Sequence, residues 1–206
     1  MEAKEIANFE SINIATHNIN GIKGNTTKLN LLEEWISREK VDIRGINETN
    51  IKEQQGKFIL PKDSKFVSFW TSAEEGKLKG SGVGLIIHKS WEKHIGRITR
   101  FESYYIDALL VFKKVKILVI VVYILPNDKE TKKLLQQQII TKIQESERRK
   151  FKVILMGDFN DIRSKTLDQI NTESKRVRTL PILAWLENSS YEDIFRKVHP
   201  YKKEFT

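Results

Sequence analysis

Carboxylate and carboxamide side chains, which can bind ions and move protons, occur in short clusters that each follow an apolar run. The most pronounced cluster is Gly157-Asp-Phe-Asn160, directly after Lys152-Val-Ile-Leu155 and Met156. A run of Val, Ile and Leu bounded by glycine predicts a strand covered on both faces, so the cluster would lie where this strand reaches the surface. Open α/β sheets tend to keep their chemistry at such strand ends.

Two further clusters and one tyrosine have corresponding positions earlier in the chain. The clusters are Thr16-His-Asn-Ile-Asn-Gly21 and Gly45-Ile-Asn-Glu-Thr49, each at the end of a strand-like run. Tyr123 lies near the end of the longest apolar run, Ile117–Leu125. All of these candidate residues therefore fall where a predicted strand ends.

The first two clusters also have a simple structural interpretation. Asn18 and Asn20 stand just before Gly21, and asparagine and glycine are favoured in turns where φ is positive. Glu48, followed by Thr49, could cap a loop or a helix. Both interpretations stay open for each cluster taken singly.

The remaining candidates have equally simple alternatives. Asp158 and Asn160 could form the turn that leaves a buried strand. Tyr123 could be a core aromatic residue whose hydroxyl is satisfied by a neighbour. These alternatives would all have to coincide at matching strand ends, which favours a common site.

The elements that must position these residues alternate between strands and helices. Ser11-Ile-Asn-Ile-Ala-Thr16 alternates as a strand does, and apolar residues between Leu31 and Ile36 recur at helical spacing before Val41–Ile46 returns to strand. Short β-like runs between Phe66 and Phe112 predict consecutive antiparallel strands. The apolar run Ile117–Leu125 is the candidate central strand.

The last third predicts two helices that flank the strand ending in Gly157-Asp-Phe-Asn160. Asn127 and Glu130 have the spacing of a capping box, and apolar residues then repeat every four positions, so a helix of about four or five turns follows. Thr179 and Pro181 predict the start of a second helix. The element order predicts a layered α/β arrangement, in one domain spanning residues 1–206.

Composition limits the class of protein. The 36 Lys and Arg residues exceed the 27 Asp and Glu residues, and the formal net charge of +9 favours a polyanionic partner such as nucleic acid. Without cysteine, neither disulfides nor thiolate metal sites can form. No apolar run approaches the ~18 residues of a membrane span, and Met1–Ile6 has no apolar signal segment. We therefore expect a soluble intracellular protein with no membrane partner, and no protein partner can be inferred.

In this order, the segments HNINGIK, GINET, VVYILPND and MGDFND resemble the motifs of the endonuclease/exonuclease/phosphatase (DNase I-like) superfamily. The Asn-x-Asn-Gly form of the first motif is most similar to the endonuclease domains of LINE-type retrotransposons. The resemblance runs from about Asn13 to Thr206. It implies an α/β sandwich of two packed β-sheets flanked by helices, and a metal-dependent endonuclease that hydrolyses phosphodiester bonds in DNA. Such an enzyme would act in the nucleus if its substrate is genomic DNA.

The resemblance also implies a role for each candidate residue. Glu48 would be the principal ligand of a Mg²⁺ ion, with Asn18 beside it, since a hard cation takes oxygen donors; Mn²⁺ is an alternative. Asp158 would orient or deprotonate the attacking water, and Asn160 would donate a hydrogen bond to a phosphoryl oxygen in the transition state. Asn20 would support this hydrogen-bond network. Tyr123 would offer its hydroxyl to the same phosphate.

Two features depart from the superfamily pattern. Members end with a Ser-Arg-Ile-Asp-like strand and a Ser-Asp-His-like motif, and this sequence stops at Lys203-Glu-Phe-Thr206 before both. We therefore expect a C-terminally incomplete domain that lacks its last strands and has impaired activity. Arg44 lies inside the predicted strand Val41–Ile46, where members usually carry an apolar residue, so its charge must reach solvent or a partner.

Three functions remain open at this point. The first is a divalent-metal nuclease that nicks DNA, and the second is a phosphatase or phosphodiesterase that acts on lipid or inositol phosphates with the same catalytic core. The third is a non-catalytic remnant that binds nucleic acid. Small-molecule activity without salt-sensitive DNA affinity would select the second, and DNA affinity without turnover would select the third.

Overall fold

The structure, a computed structural model, describes residues 11–76, 79–161, 165–168 and 181–203. The chain divides into two compact units, one formed by Met1–Tyr123 with Glu145–Asp158 and the other by Ile124–Gln144 with Phe159–Thr206. Among the described residues, no helix is long and apolar enough to cross a membrane. The predicted helix cap at Thr179 lies outside the described residues.

The first unit contains a four-stranded mixed sheet covered by a helix. The order of its strands is β1-β2-β4-β3, with β1 parallel to β2 and the other pairs antiparallel. Helix α1 connects β1 to β2, and its Leu32 and Ile36 belong to one buried cluster with Ile46 of β2 and Ile86 of β4. The elements are β1 (Ile14–Asn18), α1 (Thr26–Arg38), β2 (Ile43–Asn47), α2 (Glu53–Gly56), β3 (Phe66–Trp70), β4 (Val83–His88) and a 3₁₀ helix (Lys89–His94).

The second sheet, also in the first unit, is mixed as well. Its order is β5-β6-β7-β8, antiparallel except for the last pair, and the chain passes through helix α3 between the parallel strands β7 and β8. The second unit contains most of α3 and the helices after β8. The elements are β5 (Ile95–Phe101), β6 (Tyr105–Val111), β7 (Lys116–Tyr123), α3 (Lys129–Arg148), β8 (Lys152–Asp158), α4 (Lys165–Asp168), α5 (Pro181–Asn188) and α6 (Ile194–Val198).

The two sheets pack face to face at close range. Gly45 in β2 has no side chain at the contact, and a Cβ atom there would lie only 2.8 Å from Val121 of β7 and 3.4 Å from Met156 of β8. Since side chains alternate along a strand, Ile43, Gly45 and Asn47 face the second sheet and Ile46 faces α1. The predicted α/β sandwich of two packed β-sheets is confirmed.

Most predicted elements occur within two or three residues of their expected bounds, and one cap was assigned wrongly. Helix α3 begins at Lys129, so the residue in the capping position is Asp128 rather than Asn127. The Asp128 carboxylate accepts hydrogen bonds from the backbone nitrogen of Thr131 at 3.0 Å and from its hydroxyl at 2.8 Å. An N-cap side chain must stand directly before the helix to reach these donors.

The prediction that the Val-Ile-Leu run forms a strand is confirmed by β8, but the expected cover on both of its faces is incomplete. In the described residues this strand pairs only with β7, at the edge of the second sheet, and Val153, Ile154 and Leu155 are half-buried. An apolar run is compatible with either position, because composition does not reveal how many neighbours a strand has. β7 is buried from Ile117 to Tyr123, and β2 is buried along its whole length.

Arg44 is fully buried in β2, although its charge was expected to reach solvent or a partner. Its partners are at the C-terminal end of α1, where Nη2 donates to the carbonyl oxygens of Ile36 at 2.9 Å and Glu39 at 2.6 Å. The guanidinium carbon also lies 4.4 Å from the ring centre of Phe66 and 5.6 Å from that of Trp35. Burial lowers the pKa of this guanidinium. Arg44 therefore ties α1 to the sheet as a cation that binds helix-terminal carbonyls.

The aliphatic part of the Arg44 side chain is expected to contribute more to the free energy of unfolding than its charge does. Its Nε and Nη1 atoms have no hydrogen-bond partner among the described residues, so the charge is only partly compensated. Arg44→Ala should lower the free energy of unfolding by about 3 kcal/mol through a cavity and two lost helix contacts. Arg44→Met, which fills most of the volume, should cost less than about half of that. Urea denaturation measures both, and an equal loss in the two variants would contradict this account.

Candidate active site

The chain segments after β1 and β2 run side by side beyond the ends of the two strands. The backbone nitrogen of Ile19 donates to the carbonyl of Asn47 at 3.0 Å, and that of Gly21 donates to the carbonyl of Glu48 at 2.7 Å. These hydrogen bonds continue the parallel pairing of β1 with β2. The two polar clusters are therefore brought together by the backbone itself.

Asn18 joins the carboxylates of Glu48 and Asp158, which come from different sheets. Its side-chain nitrogen donates to Glu48 Oε1 at 2.8 Å and to Asp158 Oδ2 at 2.7 Å. Its side-chain oxygen accepts the backbone N–H of Asn20 at 2.9 Å. Four of the six predicted site residues thus form one connected group.

Glu48 and Asn20 both have left-handed backbone conformations, with φ of +54° and +48°. For a residue with a Cβ atom this conformation costs about 1 kcal/mol or more, and such strain is concentrated at functional sites. The turn interpretation of Asn20 and Gly21 is correct for the backbone, and it is compatible with a site role. Glu48 does not cap the helix that follows, because α2 has Lys52 at its N-cap.

Asp158 ends β8, directly beside the end of β7. It pairs in register with Tyr123. The preceding residue, Gly157, has φ of +138°, and a Cβ atom there would lie 1.9 Å from the carbonyl oxygen of Val122. Only glycine allows β8 to approach β7 this closely at the position before the carboxylate.

Tyr123 is 3% exposed and stacks on Tyr104, with ring centres 6.4 Å apart. The Tyr104 hydroxyl in turn donates to the carboxylate of Glu74. The hydroxyl oxygen of Tyr123 would lie 3.4 Å from a Cβ atom on Gly80. The core-aromatic interpretation therefore describes its ring, and a contact of its hydroxyl with phosphate stays a prediction.

Asn160 belongs to the second unit, because the boundary follows Asp158. Its backbone is left-handed, with φ of +46°, as the turn interpretation requires. Its side-chain nitrogen donates to the carbonyl of Ile124 at 3.0 Å, within the same unit. The predicted contact of Asn160 with a phosphoryl oxygen is not tested by this geometry.

Sequence reasoning did not single out Lys28, although this residue supports the site. Its Nζ atom donates to the carbonyl oxygens of Ile19 at 2.8 Å and Asn20 at 2.6 Å, which fixes the segment after β1. Burial, with a smaller contribution from Lys28, lowers the pKa of His17. A lysine in the first turn of a helix is usually a solvated residue, so no sequence signal distinguishes this one.

The oxygen donors at this place fit a hard divalent cation. The carboxylates of Glu48 and Asp158 both approach one amide nitrogen, so two like charges face each other and a cation between them would be favoured. Mg²⁺ is bound in proteins by one or two carboxylates and several waters rather than by a complete protein cage. Within the described residues, no group of three or more His, Cys, Asp or Glu side chains could hold a metal. The carboxylates of Glu48 and Asp158 and the amide oxygen of Asn18 are therefore oxygen donors of the kind that a hard divalent cation takes.

A cavity of about 640 Å³ lies at the other end of the first sheet, where β3 begins and β4 ends. Its lining includes Phe66 and His88 together with acids such as Glu39 and bases such as Lys40 and Lys65. Because the lining mixes both signs of charge, it favours neither an anionic nor a cationic ligand. The strained backbone and the paired carboxylates are all at the opposite end of the strands.

Comparison with known protein families matches most of the chain. Residues 15–178 match the sequence profile of the Endonuclease/Exonuclease/phosphatase family. A search of the curated proteins found no match.

Solved structures show the same fold at low sequence identity. The AP endonuclease LMAP from Leishmania major has a TM-score of 0.70 at 14% identity, over 94% of this chain and 71% of that one. A 3′ phosphatase, NExo from Neisseria, bound to a product DNA hairpin, has a TM-score of 0.67 at 14% identity, over 93% and 76%. A mannosyl-6-phosphatase from Bacteroides thetaiotaomicron has a TM-score of 0.55 at 16% identity, over 79% and 68%.

Proposed function

Since the chain belongs to the endonuclease/exonuclease/phosphatase family, we propose that it is a Mg²⁺-dependent phosphodiesterase that nicks DNA. The observation that carries this proposal is the bridge from Asn18 to the carboxylates of Glu48 and Asp158 at 2.8 Å and 2.7 Å. Through this bridge, the proposed metal ligand Glu48 and the proposed base Asp158 lie close to the same amide. Glu48 follows a strand of the first sheet, and Asp158 ends a strand of the second.

Glu48 would hold the Mg²⁺ ion, with the side-chain oxygen of Asn18 as a second ligand and Mn²⁺ as an alternative metal. When bound, the ion supplies stabilisation of the negative charge on the phosphoryl and leaving oxygens. Asn18 Oδ1 now accepts the Asn20 N–H, and a carbonyl oxygen has a second lone pair for a cation. Asn20 thereby orients Asn18 through its backbone.

Asp158 would orient the attacking water and accept its proton, because a carboxylate is an effective base once a neighbour fixes its position. Asn18 fixes the Asp158 carboxylate by donating a hydrogen bond to its Oδ2 atom. Asn160 would donate to a phosphoryl oxygen as charge develops on it, and Tyr123 would donate its hydroxyl to the same phosphate.

DNA is the proposed substrate because the chain carries a formal net charge of +9. Excess lysine and arginine favour a polyanion through the release of its counterions, and the resulting affinity falls steeply with salt. If genomic DNA is the substrate, the site of action would be the nucleus. A retroelement relationship is part of this proposal and is based on the Asn18-Ile-Asn-Gly21 segment.

Nicking of supercoiled plasmid tests the proposal. The 206-residue chain with Mg²⁺ is expected to convert supercoiled plasmid to open circles, to lose this activity with EDTA, and to lose affinity as salt rises. The rate also measures whether turnover is impaired, as the resemblance predicts. A folded protein that binds Mg²⁺ and DNA but never nicks would contradict the nuclease function and leave nucleic-acid binding.

A parallel assay distinguishes the small-molecule alternative. Release of phosphate or of a headgroup from inositol phosphates and from lipid vesicles can be measured under the same conditions. Turnover of these compounds without plasmid nicking and without salt-sensitive DNA affinity would replace the nuclease proposal with a phosphatase or phosphodiesterase.

A further inference from the structure

Asn47 is a buried amide that connects the two sheets just behind the candidate site. It is 1% exposed, and its side-chain nitrogen donates to the carbonyl oxygen of Val122 in β7 at 2.7 Å. Its side-chain oxygen accepts the hydroxyl of Thr16 in β1 at 3.1 Å. One side chain of β2 is thus bonded to a neighbouring strand and to the facing sheet.

Both ends of this connection lie one residue before a site residue. Asn47 precedes Glu48 in the first sheet, and Val122 precedes Tyr123 in the second. The carbonyl oxygen of Val122 also faces Gly157, where it would lie 1.9 Å from a Cβ atom, and Gly157 precedes Asp158. The hydrogen bond from Asn47 therefore links the backbone that carries Glu48 to the backbone that carries Asp158.

A polar link is unusual at this point of the interface. Apart from Thr16, which bonds to Asn47, the inner faces around Asn47 include the apolar or glycine residues Ile43, Gly45 and Val121, all buried. Apolar contacts fill volume but do not define a spacing, whereas a hydrogen bond weakens steeply when its donor and acceptor move apart. Buried amides with both groups satisfied thus restrict the elements that they connect.

We propose that Asn47 is a positioning residue that sets the separation between Glu48 and Asp158. This inference rests on the proposed function, because it concerns the same pair of carboxylates. Asn47 itself touches neither a metal ion nor the substrate. Its effect is to hold the two sheets so that one amide, Asn18, reaches both carboxylates at once.

The test compares Mn²⁺ affinity in variants, because Mn²⁺ is directly visible by electron paramagnetic resonance and its binding does not require turnover. Asn47→Leu removes both hydrogen bonds with little change in volume. It is expected to weaken Mn²⁺ binding about 10- to 100-fold, a loss of the size that follows when a residue that orients metal ligands is removed. Plasmid nicking should recover partly when the Mn²⁺ concentration is raised by the same factor.

Two matched variants separate positioning from general destabilisation. Thr16→Val removes the hydroxyl that Asn47 accepts but leaves its donation to Val122. Ile86→Val removes one buried methylene from the other face of the same sheet, at 0% exposure, and lowers stability without touching the link. Both are expected to bind Mn²⁺ within about threefold of the unmodified chain, while Ile86→Val loses about 1 kcal/mol of stability.

The outcomes distinguish this inference from the proposed function. A folded Asn47→Leu variant with unchanged Mn²⁺ affinity, or an equal loss of affinity in Ile86→Val, would overturn the positioning role and leave the nuclease proposal standing. An unmodified chain that neither binds Mn²⁺ nor nicks plasmid would overturn both. If Asn47→Leu does not fold, Asn47→Gln decides, since its longer amide cannot keep the same spacing and unchanged affinity would again refute the role.

Discussion

The Glu48→Gln variant is expected to lose Mg²⁺-dependent plasmid nicking by roughly a thousandfold or more. The substitution keeps the size of the side chain and one oxygen but removes the negative charge that would hold the ion. Metal stabilisation of the transition state amounts to several kcal/mol, which corresponds to a loss of roughly this size. Nicking rates over a range of Mg²⁺ concentrations measure the effect, and excess Mg²⁺ should restore only part of it.

Glu102→Gln is the matched control for this variant. Glu102 also has a left-handed backbone, with φ of +48°, and lies in the exposed turn between β5 and β6. The same chemical change there removes a carboxylate to which Asn18 does not donate, from an equivalent backbone conformation. It should leave nicking unchanged. Equal rates in Glu48→Gln and the unmodified chain would refute the assignment of Glu48 as the metal ligand.

The Gly157→Ala variant is expected to lose at least about 3 kcal/mol of stability, which is at the large end of single substitutions. The added Cβ atom would lie 1.9 Å from the carbonyl oxygen of Val122 and 2.8 Å from its nitrogen, and φ of +138° is unfavourable for any side chain. The atoms that the added Cβ would meet are backbone atoms of Val122, so no side chain can move to relieve the contact. Urea denaturation gives the free energy of unfolding.

Gly76→Ala isolates the conformational part of this cost. Gly76 has φ of +79°, and an added Cβ atom would meet no atom of the described residues within 4 Å. This variant should lose only about 1 kcal/mol, the cost of a left-handed alanine. If Gly157→Ala and Gly76→Ala lose the same free energy, the close approach of β8 to β7 does not have the structural importance inferred here.

The structure corrects the sequence predictions mainly where a residue has neighbours distant in the chain. The run Val153–Leu155 predicted a strand covered on both faces, yet in the described residues β8 has one neighbour and is half-buried. The charge of Arg44 was expected to reach solvent or a partner, and it reaches the carbonyl oxygens of Ile36 and Glu39 at the C-terminal end of α1. Neither outcome can be derived from local periodicity, because both depend on which elements pack together.

Side-chain type and order along the chain were sufficient to predict a layered α/β arrangement and to identify Asn18, Asn20, Glu48, Tyr123, Asp158 and Asn160 as candidates, whereas the sandwich of two packed sheets was implied by the resemblance of the motifs. The reason is local: alternation marks strands, and polar residues at strand ends stand out against apolar runs. Tertiary structure alone decided that Asn18 would reach Glu48 and Asp158 together, across 30 and 140 residues of chain. It also decided the importance of Asn47, whose partner Val122 is 75 residues away, because a buried amide differs from a solvated one only in what surrounds it.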